Sequence, residues 1–177
     1  MEWLIDLLGV GILIGGFVSF QNNKHNNIVL MKVCTDLMFT LQYLLLGAYS
    51  GAVMDMVGIV RNLILMRAAN DRKKQIIATL VFVFILTGAG ILTWAGPVSL
   101  LAIIGKIFTT VAFGFRNPKI LRALTIPSCI LWAIYDALTG SFAGVLYEML
   151  GLISIIIAYV RFDLIPHNKK KRQLRCA

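Results

Sequence analysis

Residues 76–94 read IIATLVFVFILTGAGILTW, nineteen residues without a charged side chain, following directly on Arg72-Lys73-Lys74-Gln75. At 1.5 Å per residue such a run makes a helix close to one bilayer hydrocarbon thickness, which takes about 20 apolar residues to cross. The rest of the chain has the same character. It is 59% apolar and 14% charged over 177 residues, where a soluble domain is nearer 45–50% and about 25%. These proportions exclude a soluble globular domain, and they exclude disorder, which needs few apolar residues. Three cysteines, Cys34, Cys129 and Cys176, are too few for a disulfide scaffold.

Six further runs flank the first. They are Trp3 to Phe20, Ile28 to Leu46, Ala52 to Ala69, Pro97 to Phe113, Ile120 to Leu138 and Val145 to Phe162. Gly, Asn and Pro mark the breaks between them, as helix terminators do. The expected fold is therefore all-α, a polytopic membrane protein with seven spans. Trp3 to Phe20 begins without a basic region and lacks a small-residue cleavage site, so it reads as a span and not as a signal peptide.

Charge sets the orientation. Of 17 basic residues, 15 fall in the first, third and fifth connections with their flanks and in the tail, while Arg61 and Lys106 lie within runs. Cytoplasmic loops gather Lys and Arg, so the N-terminus is expected outside and the C-terminus inside. This clustering between apolar runs also argues against nucleic acid, whose binders lay basic residues along one face. The lipid bilayer is the expected partner, with anionic lipid at the basic tail. A homo-oligomer is left open.

A shift of 93 residues lays Gly47-Ala48-Tyr49-Ser50-Gly51 on Gly140-Ser141-Phe142-Ala143-Gly144, Asp55-Met56 on Glu148-Met149, and Gly58 on Gly151. Two residues of slippage upstream bring Phe20, Asn22 and Lys24 onto Phe115, Asn117 and Lys119, and Cys34 onto Cys129. The fourth run has no counterpart. An odd helix between two three-span units keeps both in one orientation, giving parallel repeats about an axis along the membrane normal. The expected plan is 3+1+3: a first bundle over 1–69, a linker helix over 70–96, a second bundle over 97–165 and a basic tail over 166–177.

Four short runs, Leu44-Leu45-Leu46-Gly47-Ala48-Tyr49, Ile59-Val60-Arg61-Asn62-Leu63, Leu86-Thr87-Gly88-Ala89-Gly90 and Ile103-Ile104-Gly105, resemble the YgjV-type family of bacterial inner-membrane proteins. The resemblance covers nearly the whole chain and implies a location in the bacterial inner membrane, with no particular chemistry. In architecture, 3+1+3 with the N-terminus outside is similar to SWEET-type and PnuC-type transporters and to the KDEL receptor. The Pro-Gln turn of such relatives is absent here: Phe20-Gln21 has no proline, and the second unit reads Arg116-Asn117-Pro118. Sugar specificity is therefore not carried over.

Charges inside spans cost about 2.5–3.5 kcal/mol each on insertion scales and usually face a cavity or a partner. Asp36, Arg61 and Lys106 fall near the middle of three different runs, with Asn62 beside Arg61. Two readings compete. One is a midplane binding site formed by Asp36, Arg61, Asn62 and Lys106, with Trp132 able to stack on a ring; the other is a structural pair in which Asp36 neutralises Arg61 or Lys106. Asp6, Asp55 and Glu148 each lie fourth in their runs, and Asp136 is near the end of its own. These four are candidates for a gate or for proton coupling. For Asp55 and Glu148, a first-turn position favoured by the helix dipole is the plainer explanation.

No Gly-rich phosphate loop, Cys-x-x-Cys or metal-spaced His pair is present. An enzyme, a metal and a cofactor are accordingly not expected. The expected function is transport of a small polar, anionic or ring-bearing metabolite by alternating access between two bundles. The alternative is a receptor or accessory protein that binds without translocating.

Overall fold

The computed structural model describes residues 2–21, 25–68, 71–115 and 118–160. The basic tail 166–177, the Gln21–Asn27 turn beyond its helical residues, the Arg116-Asn117 turn and the end of the last run at Phe162 lie outside the described residues. Seven helices are described: α1 (Glu2–Gln21), α2 (His25–Leu45), α3 (Tyr49–Ala68), α4 (Arg72–Leu92), α5 (Ser99–Gly114), α6 (Pro118–Thr139) and α7 (Phe142–Tyr159).

By length and composition, Tyr49–Ala68, Arg72–Leu92 and Lys119–Thr139 can cross a membrane. The expectation of seven runs is met in helix number among the described residues, and the helices run from 16 residues in α5 to 22 in α6. The 16 residues of α5 reach about 24 Å. In α2 the apolar run is diluted by the buried polar side chains Thr35, Asp36, Thr40 and Gln42.

Helix starts differ from the sequence expectation for a physical reason. First turns can be polar, and hydropathy does not see them. Helix α4 begins at Arg72 because Asp71 caps it, accepting from the amides of Lys73 and Lys74. Those amides, that of Lys74 foremost, hold the exposed Asp71 carboxyl below the usual carboxylate range. Helix α7 begins at Phe142, where Ser141 Oγ accepts from the Gly144 amide and also donates to Gln42 Oε1 at 2.9 Å. Ser141 is fully buried. Its replacement by Ala is expected to cost about 1–2 kcal/mol, the loss of a cap that leaves a buried amide acceptor unpaired; unfolding in mixed micelles measures it.

The helices pack as a ring. Contacts run α1 to α2, α2 to α3, α3 to α5, α5 to α6, α6 to α7, and α7 back to α1. Helix α4 lies outside this ring against α3 and α5, tied to the end of α5 by Arg72 on the Gly114 carbonyl and Gln75 on the Phe113 carbonyl. Its outer face is apolar and exposed at Ile77, Leu80, Phe84 and Leu92. Inside the ring the core is aromatic. Tyr43 stacks between Phe39 and Trp132, and Tyr135 sets its ring edge-on to both Tyr43 and Trp132.

Candidate functional site

Asp55 is the seventh residue of α3 and Glu148 the seventh of α7, because both helices begin three residues before the apolar runs do. Neither helix has an acidic residue in its first turn. The first-turn reading of these two carboxylates is therefore corrected: they sit two turns deep, about 9 Å in, and line the interior. Lys32 shifts in the same way. Expected at the flank of the first connection, it falls eighth in α2 and is part of the wall.

A cavity of about 350 Å³ lies inside the ring. Its polar lining includes Lys32 and Asp36 from α2, Asp55 and Arg61 from α3, Lys106 from α5 and Glu148 from α7. Phe39, Tyr43, Phe113, Trp132 and Tyr147 supply aromatic surface. Among the described residues, neither α1 nor α4 contributes.

The charges are arranged by pairing. Lys32 Nζ donates to Asp36 Oδ1 at 2.9 Å, one turn along the same helix. The second Asp36 oxygen accepts from Asn62 Nδ2 at 3.1 Å. Asn62 Oδ1 in turn accepts from Arg61 Nε and Nη2, and Arg61 Nη1 donates to Thr110 Oγ1 at 2.6 Å. Lys106 is ion-paired with Asp55, both side chains nearly inaccessible. A glycine makes that reach possible: a Cβ on Gly58 would collide with the end of the Lys106 side chain. Gly105 likewise makes room for the Trp132 indole, 2.9 Å from where its Cβ would be.

Of the residues singled out in the sequence, Asp36, Arg61, Asn62 and Lys106 do converge, and Trp132 lines the same cavity. The pairing differs from the expected alternatives. Asp36 is bonded directly to Lys32 and to Arg61 only through Asn62, while Lys106 takes Asp55. Asp136 is apart from the cavity lining, and Asp6 stands on the exposed side of α1. Sequence reading missed Thr110, Gln42 and Ser141, which carry no charge to draw attention in an apolar helix.

One end of the cavity is closed by hydrogen bonds across the ring. Tyr43 Oη donates to Asp136 Oδ1 at 2.5 Å, joining α2 to α6. The other carboxyl oxygen of Asp136 is buried and has no partner among the described residues. Beside this bond, Gln42 holds Ser141 at the start of α7, and the Tyr135 hydroxyl accepts from the Gly51 amide and bonds Ser50 at the start of α3. The α2–α3 and α6–α7 reversals at this end each turn on a glycine with positive φ, 71° at Gly47 and 81° at Gly140. A side chain there would be strained. From Tyr43 and Trp132 below this latch, the lining runs to Phe113, Thr125 and Ile155 toward the opposite end, where Phe113 is 38% exposed.

The chain is 25% identical over 160 residues to the inner membrane protein YgjV of Escherichia coli (strain K12), covering 90% of this chain and 85% of that protein. No solved structure matches it. The family model of the bacterial inner membrane protein YgjV matches residues 3–165, so the chain belongs to the YgjV family of bacterial inner-membrane proteins.

Proposed function

We propose that the protein is a multi-pass carrier of small polar solutes, in which two three-helix units, α1–α3 and α5–α7, rock about the central cavity. The observation that carries this reading is a cavity inside the helix ring, its mostly apolar wall studded with charged side chains, that is latched at one end and lined toward the other.

The 3+1+3 plan has its own support. Exchanging α1–α3 with α5–α7 maps the ring of helix contacts onto itself and leaves α4 over, outside the ring. Gly47 and Gly140 occupy equivalent positions, 93 apart, and use the same backbone conformation. The latch obeys the same relation: Gln42 bonds Ser141 and Tyr135 bonds the Ala48 carbonyl, each pair being the image of the other. Tyr43 and Asp136 are images of one another. Arg67, Arg72, Lys73, Lys74, Lys119 and Arg122 belong to the helix ends opposite the latch. The positive-inside rule then puts the latch on the outer side and the C-terminus in the cytoplasm. On this reading the conformation described is closed outward, and Asp136 is the gate residue among the four candidate carboxylates.

Proteoliposomes loaded with a mixture of small polar metabolites test the reading. At least one solute should leave faster than from protein-free liposomes. A chain with Gln42→Cys and Ser141→Cys, with Cys34, Cys129 and Cys176 replaced by Ser, should stop releasing it when oxidised and resume when reduced. Equal release with and without protein would sink the carrier reading in favour of a receptor.

A further inference from the structure

Among the described residues, six charged side chains line the cavity, three cations and three carboxylates. Two ion pairs, Lys32 with Asp36 and Lys106 with Asp55, take four of them. The two left over are Arg61 and Glu148, which are not paired with each other or with any other charge among the described residues. Arg61, fully buried and lying over the Phe113 ring at 5.5 Å from its centroid, is held by the neutral Asn62 and Thr110, so three of its five N–H donors are used. Glu148 makes no ion pair of its own among the described residues; it shares the cavity wall with Cys129 and stands within electrostatic reach of Lys32, which is already bonded to Asp36. The two stand on opposite walls, since α3 and α7 are separated in the ring by α1 and α2 on one side and by α5 and α6 on the other.

A lone charge in a membrane interior is costly and usually marks a ligand or a partner. Among the described residues there are two, of opposite sign, in the wall of one cavity, Glu148 half-buried and Arg61 fully buried. A singly charged ligand would pair one and leave the other, and it would add net charge to a lining that is balanced. We propose, resting on the carrier reading, that the solute is a small zwitterion whose cationic group meets Glu148 and whose anionic group meets the free donors of Arg61. Its apolar body lies against the aromatic wall of Phe39, Tyr43, Trp132 and Tyr147, which also offers π-faces to the cationic end. The assignment leaves Lys106, one of the four residues expected to form the site, out of contact with the solute, because it is already committed to Asp55.

The test is binding to the full chain in lipid nanodiscs, by calorimetry, with defined probes. One set is L-phenylalanine and L-tryptophan, against their singly charged counterparts phenethylamine, 3-phenylpropionate, tryptamine and indole-3-propionate. A second is the series from glycine and β-alanine to 6-aminohexanoate, in which the distance between charges grows stepwise. At least one zwitterion should bind ten-fold or more tighter than either singly charged counterpart. Glu148→Gln should remove that preference by weakening the zwitterion and not the matching carboxylate, and Glu148→Asp, which keeps the charge, should retain it. A carboxylate or amine binding as tightly as the zwitterion, a preference unchanged in Glu148→Gln, or no binding by any probe overturns the proposal. The carrier reading is judged separately, by flux: a bound zwitterion that does not cross proteoliposomes leaves this assignment standing and removes the carrier.

Discussion

Replacing Asp55 with asparagine is expected to destabilise the protein by about 3–5 kcal/mol, because it strands the Lys106 ammonium as an uncompensated buried charge. The two side chains are 7% and 6% exposed, and Gly58 leaves Lys106 just enough room to cross from α5 to α3. Removing both charges together, as Asp55→Asn with Lys106→Met, should recover most of the loss, since a buried pair contributes little net stability while a broken one is costly. Unfolding of the single and double variants in mixed micelles measures both effects. Ordinary interhelical hydrogen bonds in membranes are worth about 0.6 kcal/mol on average. A loss below 1 kcal/mol for Asp55→Asn would therefore mean that water reaches the pair and the burial argument fails.

The second large effect is expected at Tyr43, which is 1% exposed and central to the aromatic core. Tyr43→Ala should cost about 3–5 kcal/mol, as large aromatic truncations in cores do. It removes a ring stacked on both Phe39 and Trp132. Tyr43→Phe keeps the ring and deletes only the donor to Asp136, whose other oxygen already lacks a partner among the described residues. Its cost should be about 1–3 kcal/mol, the price of a buried acceptor left without a bond. The two variants separate packing from latching: Tyr43→Phe should also raise labelling of a cysteine introduced at Ser50 by a membrane-impermeant maleimide. Unchanged labelling would mean that the hydroxyl does not hold this end shut.

How much of this was legible in the sequence depends on what each feature rests on. Seven helices were legible because long apolar runs separated by Gly, Asn and Pro leave few alternatives, and each helix lies close to its run. Helix starts were not, since Tyr49-Ser50-Gly51 and Arg72-Lys73-Lys74 form first turns that hydropathy does not mark. That error of three residues changed the meaning of Asp55 and Glu148 from surface dipole partners to cavity residues. The convergence of Asp36, Arg61, Asn62 and Lys106 was foreshadowed by their common depth. The partners were not, because which carboxylate meets which ammonium depends on how each helix is rotated about its axis. Lys106 and Asp55 are 51 residues apart and meet over a glycine whose role appears only once the two helices are side by side.

The bond from Tyr43 to Asp136 has a consequence for how such a fold could arise. The two residues occupy matching places in the two halves of the proposed duplication, 93 positions apart, where the halves face each other. A dimer of two identical half-length chains would set like against like at that spot, a pair of tyrosines or a pair of acids. Two carboxylates so placed would repel, and two hydroxyls would lose the carboxylate as acceptor. A tyrosine against an aspartate requires halves that differ, which one continuous gene permits and a self-paired ancestor does not. The lock at this end would then be younger than the barrel of helices it closes, a refinement available only after fusion had let the two copies drift apart.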